Sequence, residues 1–98
     1  MKFEWDENKR KSNYEKHGLD FRDVELCFES LIFEWEDTRF DYGEKRFVSL
    51  ALLDSRVVSL VYVKKAEDLY RIISFRKANE RETKSYLQRF EEDRQHDG

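Results

Sequence analysis

At 98 residues the chain is too short for two independent cores, and its 39% hydrophobic against 42% charged residues leaves a thin core that the 15% aromatic content must fill. A single cysteine excludes an internal disulfide, no apolar run is long enough to cross a bilayer, and the opening MKFEWDENKRK lacks the apolar centre of a signal peptide, so a cytoplasmic protein is expected. The net charge of −3 argues against a polyanionic partner, but residues 1–44 sum to −6, residues 45–89 to +6 and residues 90–98 to −3, and binding follows local potential.

Phe3 to Trp5 allows a short strand. Asp6 is an N-cap for a polar helix of about ten residues that Gly18 ends in the left-handed conformation. Asp20 caps a second helix, with Asp23 in its first turn and Phe21, Val24, Cys27 and Phe28 recurring on one face. That face buries, and Cys27 reads as core rather than as a redox or metal residue. Leu31 to Trp35 reads as a strand without an evident partner. The stretch EDTRFDYGE turns the chain into the run Arg46–Leu53, and Asp54-Ser55 is short enough for a tight hairpin into Arg56–Lys64. Leu69–Phe75 alternates Tyr70, Ile72 and Ser74 against Arg71, Ile73 and Phe75. The last helix, Asn79 to Phe90, places Thr83, Tyr86, Leu87 and Phe90 on one stripe.

These elements predict an α+β fold: an antiparallel sheet of about four strands, two N-terminal helices and a C-terminal helix. There is no proline and no linker-like tract, so residues 1–90 form one domain. The remainder, EEDRQHDG over residues 91–98, has no apolar anchor and reads as a disordered acidic tail.

Most enzyme signatures are absent: no phosphate-cradling glycine loop, no cysteine pair, no nucleophile elbow, no His-x-x-x-His. His96 falls in the tail and receives no role. His17, just before Gly18, either interacts with a helix carbonyl terminus or acts in chemistry. What remains is a set of cations on the strands, Arg46, Arg56, Lys64, Lys65, Arg71 and Arg76, followed by Arg81 and Lys84. Solvated strand ends and ion pairs with the acidic first half explain the same residues. Arg71 is either a snorkelling edge residue or a charge aimed into a concavity. Cleaving RNA requires no metal if a base takes the 2′-hydroxyl proton, cations stabilise the phosphorane and an acid protonates the 5′-oxygen.

The segments Phe3-Glu4-Trp5-Asp6-x-x-Lys9, Asn13-x-x-Lys16-His17-Gly18-x-x-Phe21, Gly43-Glu44-x-Arg46, Val61-Tyr62 and Arg71-Ile72-Ile73-Ser74-x-Arg76-x-Ala78, with Glu82 and Tyr86, together resemble the BrnT family of bacterial toxins over residues 3–86. The resemblance implies a ribonuclease toxin of a type II toxin–antitoxin pair with a RelE-like fold, which inhibits translation and growth. It further implies neutralisation by a BrnA-type antitoxin carrying a ribbon-helix-helix DNA-binding module, and repression of the shared operon through operator DNA. Two departures stand out. Val63-Lys64-Lys65 replaces the frequent Thr-x-Arg, and Ser74-Phe75-Arg76 replaces Ser-Ala-Arg. Lys65 keeps the charge but loses the bidentate fork.

Residue types and resemblance together assign Arg71, Arg76 and Lys65 to phosphate binding and transition-state charge, and Lys9 and His17 to the catalytic set. Glu44 is a substitute base. Arg46, Lys64, Arg56 and Lys84 extend the RNA path. No metal or cofactor is expected. A core this small supplies only about 3–5 kcal/mol, which favours a homodimer or a toxin–antitoxin heterotetramer. The alternative function is a catalytically weak partner that binds the antitoxin and co-regulates the operon. A plain nucleic-acid module fits less well, because the paired aromatic signature of an RNA-recognition motif is missing.

Overall fold

A computed structural model describes residues 1–96 as β1 (Lys2–Glu4), α1 (Glu7–His17), a 3-10 turn (Phe21–Asp23), α2 (Val24–Cys27), β2 (Phe33–Asp37), β3 (Arg46–Leu53), β4 (Arg56–Ala66), β5 (Leu69–Lys77) and α3 (Glu80–His96). The caps of α1 form as expected. The Asp6 carboxylate accepts from the Asn8 and Lys9 amides at 2.8 and 3.3 Å, and Gly18, at φ 73°, donates to the Tyr14 carbonyl. The β3–β4 hairpin turns on Asp54 and Ser55, both at positive φ (51° and 65°), as a two-residue turn of this hand requires.

The sheet has five strands in the order β1-β5-β4-β3-β2 and is mixed, not a four-stranded antiparallel meander. β1 is the added strand and runs parallel to β5, from Lys2 opposite Leu69 to Glu4 opposite Arg71. The short strand expected at Phe3–Trp5 forms one residue earlier, but its parallel pairing with a strand more than sixty positions away carries no local signal. β2 finds its partner in β3, from Phe33 opposite Leu50 to Asp37 opposite Arg46. The second N-terminal helix shrinks to the 3-10 turn and the single turn of α2, because the Ser30 hydroxyl takes the Cys27 carbonyl and accepts from Leu52 N, pulling the chain into the sheet. α3 starts with a reciprocal capping box: Glu82 N donates to the Asn79 side chain and Asn79 N donates to the Glu82 carboxylate. It continues past Phe90 to His96, since no proline or glycine interrupts it there. Residues 97 and 98 of the expected tail lie outside the described residues.

Two layers cover the sheet. On one face Phe21, Val24 and Cys27 pack against Val58, Leu60, Tyr62, Ile72 and Phe75, all fully buried. Burying Phe21 and Val24 contributes about 1.5–3 kcal/mol each. On the other face Tyr86 of α3 packs on Leu50 and Val57, with Phe33 and Phe90 alongside. α3 covers only part of this second face. The part left open holds the side chains that matter next.

Candidate functional site

The strand alternation expected for β5 breaks at one point. Arg71 pairs with Val63 and Ile72 with Tyr62, but Ser74 pairs with Val61 and Phe75 with Leu60, so an extra residue, Ile73, is inserted. Arg71 therefore lies on the face opposite Phe75, not with it, and shares that face with Ser74, three residues on. Val48 pairs with Val61 and also with Trp35, which places Arg46, two residues before Val48, on the same open face. Arg46 and Arg71 flank Val63 from adjacent strands, their backbones about 10 Å apart. Lys65 follows Val63 by two residues on β4, but a second register shift, between Lys64 and Ala66, leaves it without a partner on β5, so alternation does not assign it to this face. The structure thus brings Arg46 and Arg71 to either side of one valine, with Lys65 exposed at the adjoining bulge.

Arg46 stacks on Tyr42 at 4.2 Å, has Glu44 at 3.5 Å, and its buried Nε has no hydrogen-bond partner among the described residues. Glu44, the substitute base, is thereby the neighbour of a cation. No carboxylate among the described residues lies within ion-pair distance of Arg71.

Beside this face runs a groove of about 420 Å³ between α1 and the outer edge of β5. Lys9, Ser12, Lys16 and His17 line it from the helix and Ile73 and Ser74 from the strand. Spacings of three and four residues put the helical set on one stripe. Its carboxylate, Asp6, is occupied as the N-cap of α1. Ser74 belongs to both regions: it lines the groove and shares the face of Arg71, about 10 Å away along the strand.

The other expected cations lie elsewhere or are engaged. Arg76 forms a two-pronged bond to Glu82 (2.9 and 3.0 Å) that ties β5 to the start of α3; the guanidinium lowers the Glu82 carboxyl pKa and the carboxylate raises that of Arg76. Lys64 points to the other face, bonded to Glu34, which raises its pKa, and sits 4.2 Å over the Phe47 ring. Glu34 also accepts from the Tyr62 phenol, whose pKa burial pushes up. Arg56 opens β4 beside the hairpin, about 30 Å along the strand from Lys65. Lys84 is exposed on α3 and pairs with Glu80. A second cavity, about 290 Å³, is walled by Trp35, Val48, Ser59 and Val61; both of its arginines are already engaged, as Asp37–Arg39 and Arg76–Glu82, and Glu36 adds a further negative charge.

Lys16, Ser12 and Ser74 were not singled out for the site by residue type. Helical spacing from Lys9 and His17 reaches Lys16 and Ser12, and the family motif contains Lys16 and Ser74; the bulge is what puts Ser74 on the face of Arg71.

A family model described as "Ribonuclease toxin, BrnT, of type II toxin-antitoxin system" matches residues 5–82. Among solved structures, the 1.1 Å crystal structure of the Brucella abortus ribonuclease toxin, BrnT, is similar with a TM-score of 0.61 and 29% identity, over 82% of this chain and 99% of that one. No curated protein matches the sequence.

Proposed function

The chain belongs to the BrnT family of ribonuclease toxins of type II toxin–antitoxin systems, and from that premise we propose that it cuts RNA without a metal where the open sheet face meets the α1 groove. The observation that carries this is the placement of Arg46 and Arg71 on either side of Val63, with Lys65 at the bulge beyond it, joined through Ser74 to Lys9, Lys16 and His17. RNA lies across the open face with its scissile phosphate beside Arg71. His17 takes the 2′-hydroxyl proton, the 2′-oxygen attacks phosphorus, and the bond from phosphorus to the 5′-oxygen breaks as water protonates that oxygen, leaving a 2′,3′-cyclic phosphate. Arg71, Lys65 and Lys9 hold the charge that grows on the phosphorane oxygens. Arg76 keeps α3 in place rather than touching the phosphate.

The partner is a BrnA-type antitoxin with a ribbon-helix-helix module, and it covers the cationic face so that RNA is excluded sterically. The assembly is a heterotetramer acting on its own operator in the cytoplasm. Among the described residues no helix is long and apolar enough to cross a membrane.

The test is cleavage of a synthetic RNA by the purified chain with and without a chelator, beside Arg71→Ala. Cutting is expected to survive chelation, and R71A to lose about 100- to 1,000-fold in rate with its melting temperature unchanged. A folded R71A protein that cuts at the wild-type rate, or cutting that chelation abolishes, removes the mechanism. A wild-type chain that binds antitoxin but never cuts supports the catalytically weak alternative.

A further inference from the structure

α1 contains no aliphatic residue, and its one large apolar ring, Tyr14, is exposed. An apolar stripe cannot attach it to β5. The attachment runs through Asn13, which is only 8% exposed. Its Nδ2 donates to the Phe75 carbonyl at 2.7 Å and its Oδ1 accepts from the Phe75 amide at 3.1 Å; the same Nδ2 donates to the Leu19 carbonyl at 3.1 Å. Trading both hydrogen bonds with one residue is how a neighbouring antiparallel strand pairs. β1 ends at Glu4 opposite Arg71, whereas β5 runs on to Lys77. The Asn13 amide takes the place of the strand that β1 does not supply.

The geometry points to Asn13 as a positioning residue for RNA cleavage: it sets the register of α1 against β5, and with it the separation of Lys9 and His17 from Arg71 and Ser74. This rests on the groove being the cleavage site. Lys9, Asn13 and His17 stand four residues apart, one above another on the helix, with the clamp in the middle. A tilt or slide of α1 about a lost clamp moves both outer groups relative to the strand. Side chains that already bond water well give the helix no reason to return to one register. A misplacement of about 1 Å in such a constellation costs on the order of 100-fold in rate.

Asn13→Asp tests it, because a protonated carboxyl offers one donor and one acceptor, the pair that Phe75 requires, while a carboxylate offers only acceptors. Burial and the facing Phe75 and Leu19 carbonyls raise the pKa of the introduced carboxyl while Lys9, Lys16 and His17, a turn away on α1, lower it, and its protonated fraction grows as pH falls from about 8 to about 5. Relative to wild type at the same pH, N13D is expected to lose about 100-fold in kcat at about pH 8, with KM little changed, and to recover most of it at about pH 5. Melting on the same preparations gives the folded fraction. A rate ratio near one at both pH values, or one that follows the folded fraction, overturns the inference. If the wild type does not cut RNA at all, the cleavage reading fails and amide exchange decides the clamp. Protection of α1 amides relative to those of β4 should then fall in N13D at about pH 8 and return at about pH 5; unchanged protection overturns it.

Discussion

The first and last helices lie against the same sheet and are held there by different chemistry. α3 buries Tyr86 completely against Leu50 and Val57, sets it edge-on to Phe33 at 5.3 Å, and sends its hydroxyl to the Leu31 carbonyl at 2.7 Å. α1 buries only an asparagine, and its second tether is polar too: Arg10 reaches Asp20 at 3.1 Å, beside Arg22 on the same carboxylate. An apolar anchor stabilises without fixing which polar groups face inward. A hydrogen-bonded anchor stabilises less, but it leaves the groove side of α1 to Lys9, Ser12, Lys16 and His17. The helix that carries the candidate chemistry is the one that gives least to the core.

That contrast breaks most readily at Tyr86. Tyr86→Ala is expected to cost about 3–5 kcal/mol in urea unfolding, since it leaves a large cavity and removes the phenol's hydrogen bond to the Leu31 carbonyl. A cost no greater than that of Glu82→Ala would mean that α3 is held by its cap instead. Glu82→Ala removes both the capping box and the two-pronged partner of the part-exposed Arg76, and should cost about 1–2 kcal/mol in the same assay. The smallest effect sharpens the α1 side. Bonds from Arg22 hold the Asp20 carboxyl down to about 2, below its ordinary 3.8. Its contribution is therefore complete above about pH 4 and is lost as pH falls through that interval towards 2. Asp20→Asn should flatten the fall of melting temperature across that window and change little near neutrality.

Much of this was legible in the sequence where the physics is local. The Asp6 and Gly18 caps, the Asp54-Ser55 hairpin, the buried Cys27 and the Tyr86 stripe each follow from neighbours within four residues. Three features did not follow. The parallel pairing of β1 with β5 and the Asn13–Phe75 clamp, 62 positions apart, join segments that share no local pattern. Strict alternation put Arg71 beside Phe75, and a single inserted residue reversed it. Charge count also misled at Arg76 and Lys64, because it cannot tell a free cation from one already bonded to Glu82 or Glu34. The family resemblance quoted Asn13 among its motif residues without a reason for it. The clamp supplies one.

Cys27 bears on how the molecule is to be watched. It is the sole cysteine, it is fully buried, and burial pushes its thiol up to about 12. Only a thiolate attacks an alkylating reagent, so at neutral pH the native thiol is silent and reacts when the core parts. The chain thus contains its own stopwatch for breathing of the layer between α2 and the sheet, with no dye and no substitution. Anything that grips the folded form alone, an antitoxin above all, should slow that stopwatch by the factor by which it shifts the opening equilibrium.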